Sequence, residues 1–435
     1  MGHDWMQYFD ELMDFLDKHD PNRKFSFKGE LRTKFQNLRS EFQDSFIMDV
    51  LGSEVENIHD WVKLFKEELE EAKKELKIRG ALFSKEFKSF LENPLHHLRK
   101  KLFNYTYDLL RNKINIDEFL RVARAAITTS LRTNMRTLYQ NWVVVSILRN
   151  LADYGVRIVY PEYGYLLLER SGRQRIGVIP PNCIVHVQGR GYLSLFIEVP
   201  RPLSWEDTDD LKKIWKLYVA LRPDILIYRG KILNILDLNR DPPILRPNII
   251  IECKELDDWY MRIRDVRGPF ARPLSAEEWR SRWIRGLWDG LAEILGVSRE
   301  EAKEEFKKRV IRLHETKVVE LYREFYKPDL MYLISRALVT RDVVRELKAH
   351  RIKVIDNVGF DKDKLRPLVD DIVNNILANS EKETKKNMDE KLREVLSILR
   401  EHGIEINEEE LMNVILEYVV STRDSFIRYL KKYIE

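Results

Sequence analysis

Cysteine is nearly absent from this chain. Two thiols in 435 residues, Cys183 and Cys253, are too few for a disulfide framework or a thiolate zinc cluster. The nine histidines are scattered and none stands at metal-ligand spacing, so any metal is expected on oxygen ligands. No apolar run approaches the ~20 residues of a membrane span. The start, Met1-Gly2-His3-Asp4-Trp5, lacks a basic-then-apolar leader, and position 6 offers no Ser or Thr for a myristoyl signal. The expectation is a cytoplasmic protein that does not engage the membrane. No G-x-x-x-x-G-K-[ST] string occurs, so nucleotide-driven motion would need a separate motor subunit. Glutamine is scarce, at six residues, while charged residues make up 34%. Many ion-pairing groups with little glutamine is a composition seen in proteins from hot environments, and a thermophile source is the expectation.

What is present supports a sizeable core: 44% of residues are hydrophobic, and the length implies two or three domains. Residues 1–130 carry helical spacing, as in Phe9, Leu12, Met13, Leu16 and Trp61, Leu64, Phe65, Leu69. Ser53 with Glu56 reads as a capping box, and Gly80 and Pro94 punctuate the run. A further helix is predicted over 131–152. Strands are predicted at 156–160, 165–169, 183–187, 192–199, 223–228, 249–254, 330–334 and 352–355. Helices are predicted at 207–221, 275–325 and 341–350. From 361 the chain is helical again, with starts at Ser380/Glu383 and Asn407/Glu410. The alternation over 131–360 predicts an α/β domain with a mixed sheet, flanked by an N-terminal all-helical region at 1–130 and a C-terminal one at 361–435.

Two strings carry chemistry. Arg222-Pro223-Asp224-Ile225-Leu226-Ile227 places an acid at the head of an apolar strand, and Ile249-Ile250-Ile251-Glu252-Cys253-Lys254 ends one. Side chains alternate along a strand, so Glu252 and Lys254 share a face while Cys253 packs with Ile249 and Ile251 on the other. Two carboxylates from neighbouring strands suit an oxygen-only Mg²⁺ or Mn²⁺ site, and a lysine beside them can orient water or neutralise developing charge. The competing reading is a strand-end ion pair. Pro328-Asp329 followed by Glu346-Leu347-Lys348 repeats the letters. Its E-x-K lies on a helical segment, where residues two apart do not face together, and it is read as a decoy.

Pro223-Asp224 with Glu252-Cys253-Lys254 resembles the PD-(D/E)XK nuclease superfamily over roughly residues 131–356. The resemblance implies a restriction-endonuclease-like fold and a Mg²⁺- or Mn²⁺-dependent deoxyribonuclease, endo- or exonucleolytic, serving restriction, defence or repair. It implies Asp224 and Glu252 as metal ligands and Lys254 at the nucleophile. Where the family often places a glutamate on its first helix, this chain has Gln140. Gln140 through its amide oxygen and Glu198 are the accessory candidates, with Glu198 read first as a solvated residue on an edge strand. The 27 residues 225–251 between the acids leave room for an extra strand at 231–238, with Asp237 a spare acid.

DNA is the expected partner. Arg121, Arg124, Arg132, Arg136 and Arg149 fall in a stretch without an acid, as a phosphate-tracking face requires, or they form a solvated face balanced from elsewhere. Arg262, Arg264, Arg267 and Arg272 follow the second string and are read as DNA contacts. Trp279, Trp283 and Trp288 are read as core. Residues 291–298 resemble the turn of a helix-turn-helix, but the acidic helix that follows favours a plain hairpin. The helical flanks are expected to serve recognition, self-association or docking of a motor. The alternative to an enzyme is an inactive nuclease-like fold used for DNA binding or assembly.

Overall fold

The computed structural model describes residues 5–52, 54–169, 179–198, 222–235, 245–266, 297–301 and 311–378, with single positions at 292, 396, 397, 407 and 410. Residues 1–370 form one compact unit and 371–435 another. In the second unit, Ile372–Leu377 is a π-helical turn. Asn407 and Glu410 there form the expected reciprocal cap, at 3.0 and 2.9 Å. The expected starts at Ser53 and Ser380 lie outside the described residues.

The first unit begins with helices α1 (Trp5–His19), α2 (Gly29–Leu51), α3 (Glu54–Glu75), α4 (Lys85–Glu92) and α5 (Pro94–Leu110). Trp5 of α1 and Phe42 and Phe46 of α2 form an aromatic core with Phe119 of the helix that follows α5. A short strand β1 (Gly80–Leu82) interrupts the helices and pairs in parallel with β3 (Tyr165–Leu167). Gly80 therefore opens a strand as well as ending a helical run.

Helix α6 (Ile116–Ala152) is 37 residues long, about 55 Å at 1.5 Å per residue. Asn115 caps it by accepting from Glu118 N at 2.8 Å. No Gly or Pro breaks the stretch, so the boundary expected at 130 falls inside one continuous helix.

The sheet has seven strands in the order β11-β10-β7-β6-β5-β4-β2. These are β2 (Val156–Tyr160), β4 (Cys183–Val187), β5 (Gly191–Ile197), β6 (Ile225–Arg229), β7 (Ile249–Lys254), β10 (Leu330–Ser335) and β11 (Lys353–Ile355). β2, β4, β5, β6 and β7 pair antiparallel in that order, whereas β7, β10 and β11 are parallel. The sheet is mixed, as expected. α6 packs against it near β7 and β2. The opposite face buries Phe196, Leu226, Tyr228, Ile250, Met331 and Leu333 against helix α7 (Glu315–Tyr326) and Leu347 of α8 (Arg341–Ala349).

Three expectations are corrected. Residues 311–314, expected to be helical, form strand β9 (Ile311–His314), paired antiparallel with β8 (Ile263–Val266). Residues 231–235 form no strand; 236–238, with Asp237, lie outside the described residues. β5 is interior to the sheet, so it is not an edge strand. The capping pair Ser298–Glu301 is present, at 2.8 and 3.2 Å, which fits a helix start after the turn. The predicted helix 207–221 and the three tryptophans lie outside the described residues.

Candidate active site

The Ile225↔Ile251 register of β6 and β7 puts Asp224 and Glu252 beside each other one step further along. Here side chains replace the backbone ladder. Cys253 N donates to Asp224 Oδ2 at 2.8 Å, and Asp224 N donates to Glu252 Oε2 at 3.3 Å. Each acid is thereby oriented by the other strand. Cys253 faces away and is buried, as the alternation requires.

Lys254 Nζ donates to Glu252 Oε1 at 2.7 Å and to Glu315 Oε1 at 2.5 Å. It also lies 5.6 Å from the Trp259 ring centre. The two expected functions of this lysine, catalytic group and ion-pair partner, thus share one geometry. Asp224, Glu252, Lys254, Glu255 and Glu315 are all buried. Burial, followed by the charge of Glu252, pushes the Asp224 carboxyl up to about 8. Burial raises the Glu255 carboxyl as well.

Glu198 is 3% exposed, which overturns the solvated reading. It follows the interior strand β5 with a left-handed backbone, φ 42°, a conformation costing on the order of 1 kcal/mol for a non-glycine residue. Its N–H donates to Asp224 O at 2.6 Å, and its carboxylate stands 3.5 Å from both Arg136 and Arg222. Gln140 is buried behind the site. Its Nε2 donates to Asp224 O at 2.9 Å, so it fixes the main chain of Asp224.

These groups line a cleft of about 340 Å³ at one end of the sheet, together with Arg132, Arg262 and Tyr322. Arg121, Arg132 and Arg136 fall within about 60° of one another around α6, with Arg124 about 60° beyond Arg121. Arg121, Arg124 and Arg132 are exposed. Arg149 differs: it is buried and bound to Glu68 and Glu75 at 2.7 and 2.5 Å. Its balancing acids come from α3, whereas Arg136 faces Glu198 at 3.5 Å and Arg121 stands 3.7 Å from Glu118 of its own helix. Arg262 lines the cleft, the side chain of Arg264 is not described, and Arg267 and Arg272 lie outside the described residues. Sequence reasoning puts Glu315, beside His314 and Lys317, on a helix behind the site and gives it no role. It opens α7 after a short strand and meets Lys254 only through tertiary packing. Neighbouring His314 is exposed. The decoy holds: Glu346 sits on α8 and pairs with Lys317 at 2.8 Å.

Among the described residues, no three His, Cys, Asp or Glu side chains form a ready-made metal centre. The donor set still suits a hard cation. Mg²⁺ commonly uses one or two carboxylates with water and phosphate making up the rest. A cation would also offset the burial and repulsion that hold a proton on Asp224. No family model, curated protein or solved structure matches the chain.

Proposed function

We propose that this protein is a metal-dependent deoxyribonuclease of the PD-(D/E)XK type. One observation carries the reading: two cross-strand carboxylates and a lysine, all buried, open onto a cleft rimmed by arginines. Folding alone does not favour such a cluster, since desolvating charges costs more than their pairing commonly returns. Strongly perturbed acids in a cleft are candidates for function.

Asp224 and Glu252 would hold Mg²⁺ or Mn²⁺. Bound there, the ion supplies a Lewis acid for the phosphodiester and lowers the pKa of water. Lys254 offers donors to water and positive charge to the pentavalent phosphate. Arg132, Arg136, Arg222 and Arg262 offer bidentate anchors for flanking phosphates. Glu198 holds Arg136 and Arg222 in place, and Gln140 fixes the turn before β6.

A second reading has its own support. Lys254 is already bonded to Glu252 and Glu315, as in an inactive nuclease-like module that binds DNA or an assembly partner. Cleavage of supercoiled, linear and branched DNA with Mg²⁺ or Mn²⁺ separates the two. Wild type should cut, and Asp224→Ala and Lys254→Ala should each be slower by at least about 100-fold, the scale on which removing one transition-state donor acts. Cutting that survives both substitutions refutes the site. DNA binding without cutting by wild type favours the module.

A further inference from the structure

Glu315 is the buried acid that the strand motif does not supply. It is the first residue of a 12-residue helix, where the helix dipole favours negative charge. Its N–H donates to Arg262 O at 3.0 Å, so the main chain beneath the carboxylate is pinned to the residue just before β8. The carboxylate reaches Lys254 Nζ from α7 rather than from β7. Among the described residues, Lys254 thus has one acidic partner in the proposed cation pair and one outside it.

That division matters when a cation arrives. A divalent ion on Asp224 and Glu252 places positive charge beside the ammonium and competes with it for Glu252. Glu315 is a partner of Lys254 that the ion does not use. The Trp259 ring, at 5.6 Å, attracts a cation much more weakly than a carboxylate does.

Resting on the nuclease reading, we propose that Glu315 is the positioning residue of this site: it retains Lys254 at the sheet end while the cation pair is loaded. It touches neither the phosphodiester nor the ion. Its effect passes through Lys254, and this makes it separable from a structural ion pair.

The test uses the full chain and two readouts, Mn²⁺ binding by calorimetry and steady-state cleavage. Glu315→Gln keeps the shape and removes the charge. Mn²⁺ affinity should fall about fivefold, because the lysine, no longer drawn to a charged Glu315, competes harder for Glu252. kcat should fall at least about tenfold while KM for DNA stays within about twofold, since the displaced lysine acts at the reacting centre. Glu315→Asp, which restores the charge, should recover part of kcat. In a Lys254→Met background, where the competitor is gone, Glu315→Gln should change Mn²⁺ affinity by less than about twofold. That pair also serves if the single variant fails to fold, because it leaves no stranded lysine. Unchanged Mn²⁺ affinity and kcat in folded Glu315→Gln overturn the inference alone. So does an equal effect of Glu315→Gln with and without Lys254. A wild type that neither binds Mn²⁺ nor cuts DNA overturns the nuclease reading and this inference with it.

Discussion

Asp224 holds its proton far above the ordinary aspartate value of 3.8, up to about 8, first through burial and then through Glu252. The folded chain therefore binds this proton more tightly than the unfolded chain does. The contribution to stability is complete below about pH 4 and is lost as pH rises through about 8. Metal-free wild type should lose thermal stability between about pH 5 and 8.5, and Asp224→Asn, which cannot ionise, should lose distinctly less over that range. Parallel melting curves for the two proteins would show that Asp224 is not the group responsible. The juxtaposition of Asp224, Glu252 and Lys254 was legible at this scale, because an apolar strand running into E-x-K fixes which side chains share a face. The burial of Glu198 was not, since it depends on which strands flank β5.

Among the elements, α6 has the widest reach. Both of its parts were readable as helix, but the division at 130 was not a feature of the chain: residues 116–152 turn without a break. The four residues of β9 alternate as Ile311-Arg312-Leu313-His314, too short a signal against the helical sequence that follows. Glu315 could not be found from local pattern, because its partner lies 61 positions away. The arginines of α6 divide into two kinds. Removing Arg121 and Arg132 together should weaken DNA binding across sequences and reduce the salt slope by about 1 for each phosphate no longer neutralised. Arg149→Ala should instead cost about 3–5 kcal/mol of stability, by stranding Glu68, and leave the salt slope unchanged. Salt-dependent binding and denaturant melts of the two variants check the division. A reversal of the two effects would refute it.

Across the whole molecule, one end of a mixed sheet collects side chains that are far apart in sequence. Asp224 comes from the head of β6, Glu252 and Lys254 from the tail of β7, Glu198 from the end of β5 and Glu315 from the helix on the far face. The α/β character and the strand carrying each acid followed from apolar patterning and alternation. The order of strands did not, because pairing is a long-range property. The same end of the sheet admits two uses: a cation site that Lys254 serves, or an ion pair closed on itself. Mn²⁺ binding to wild type and Asp224→Asn, measured by calorimetry near pH 8 without nucleic acid, distinguishes them. The account predicts saturable binding by wild type that is lost in Asp224→Asn with the fold intact. No saturable binding by wild type, or binding that survives in the variant, would contradict it.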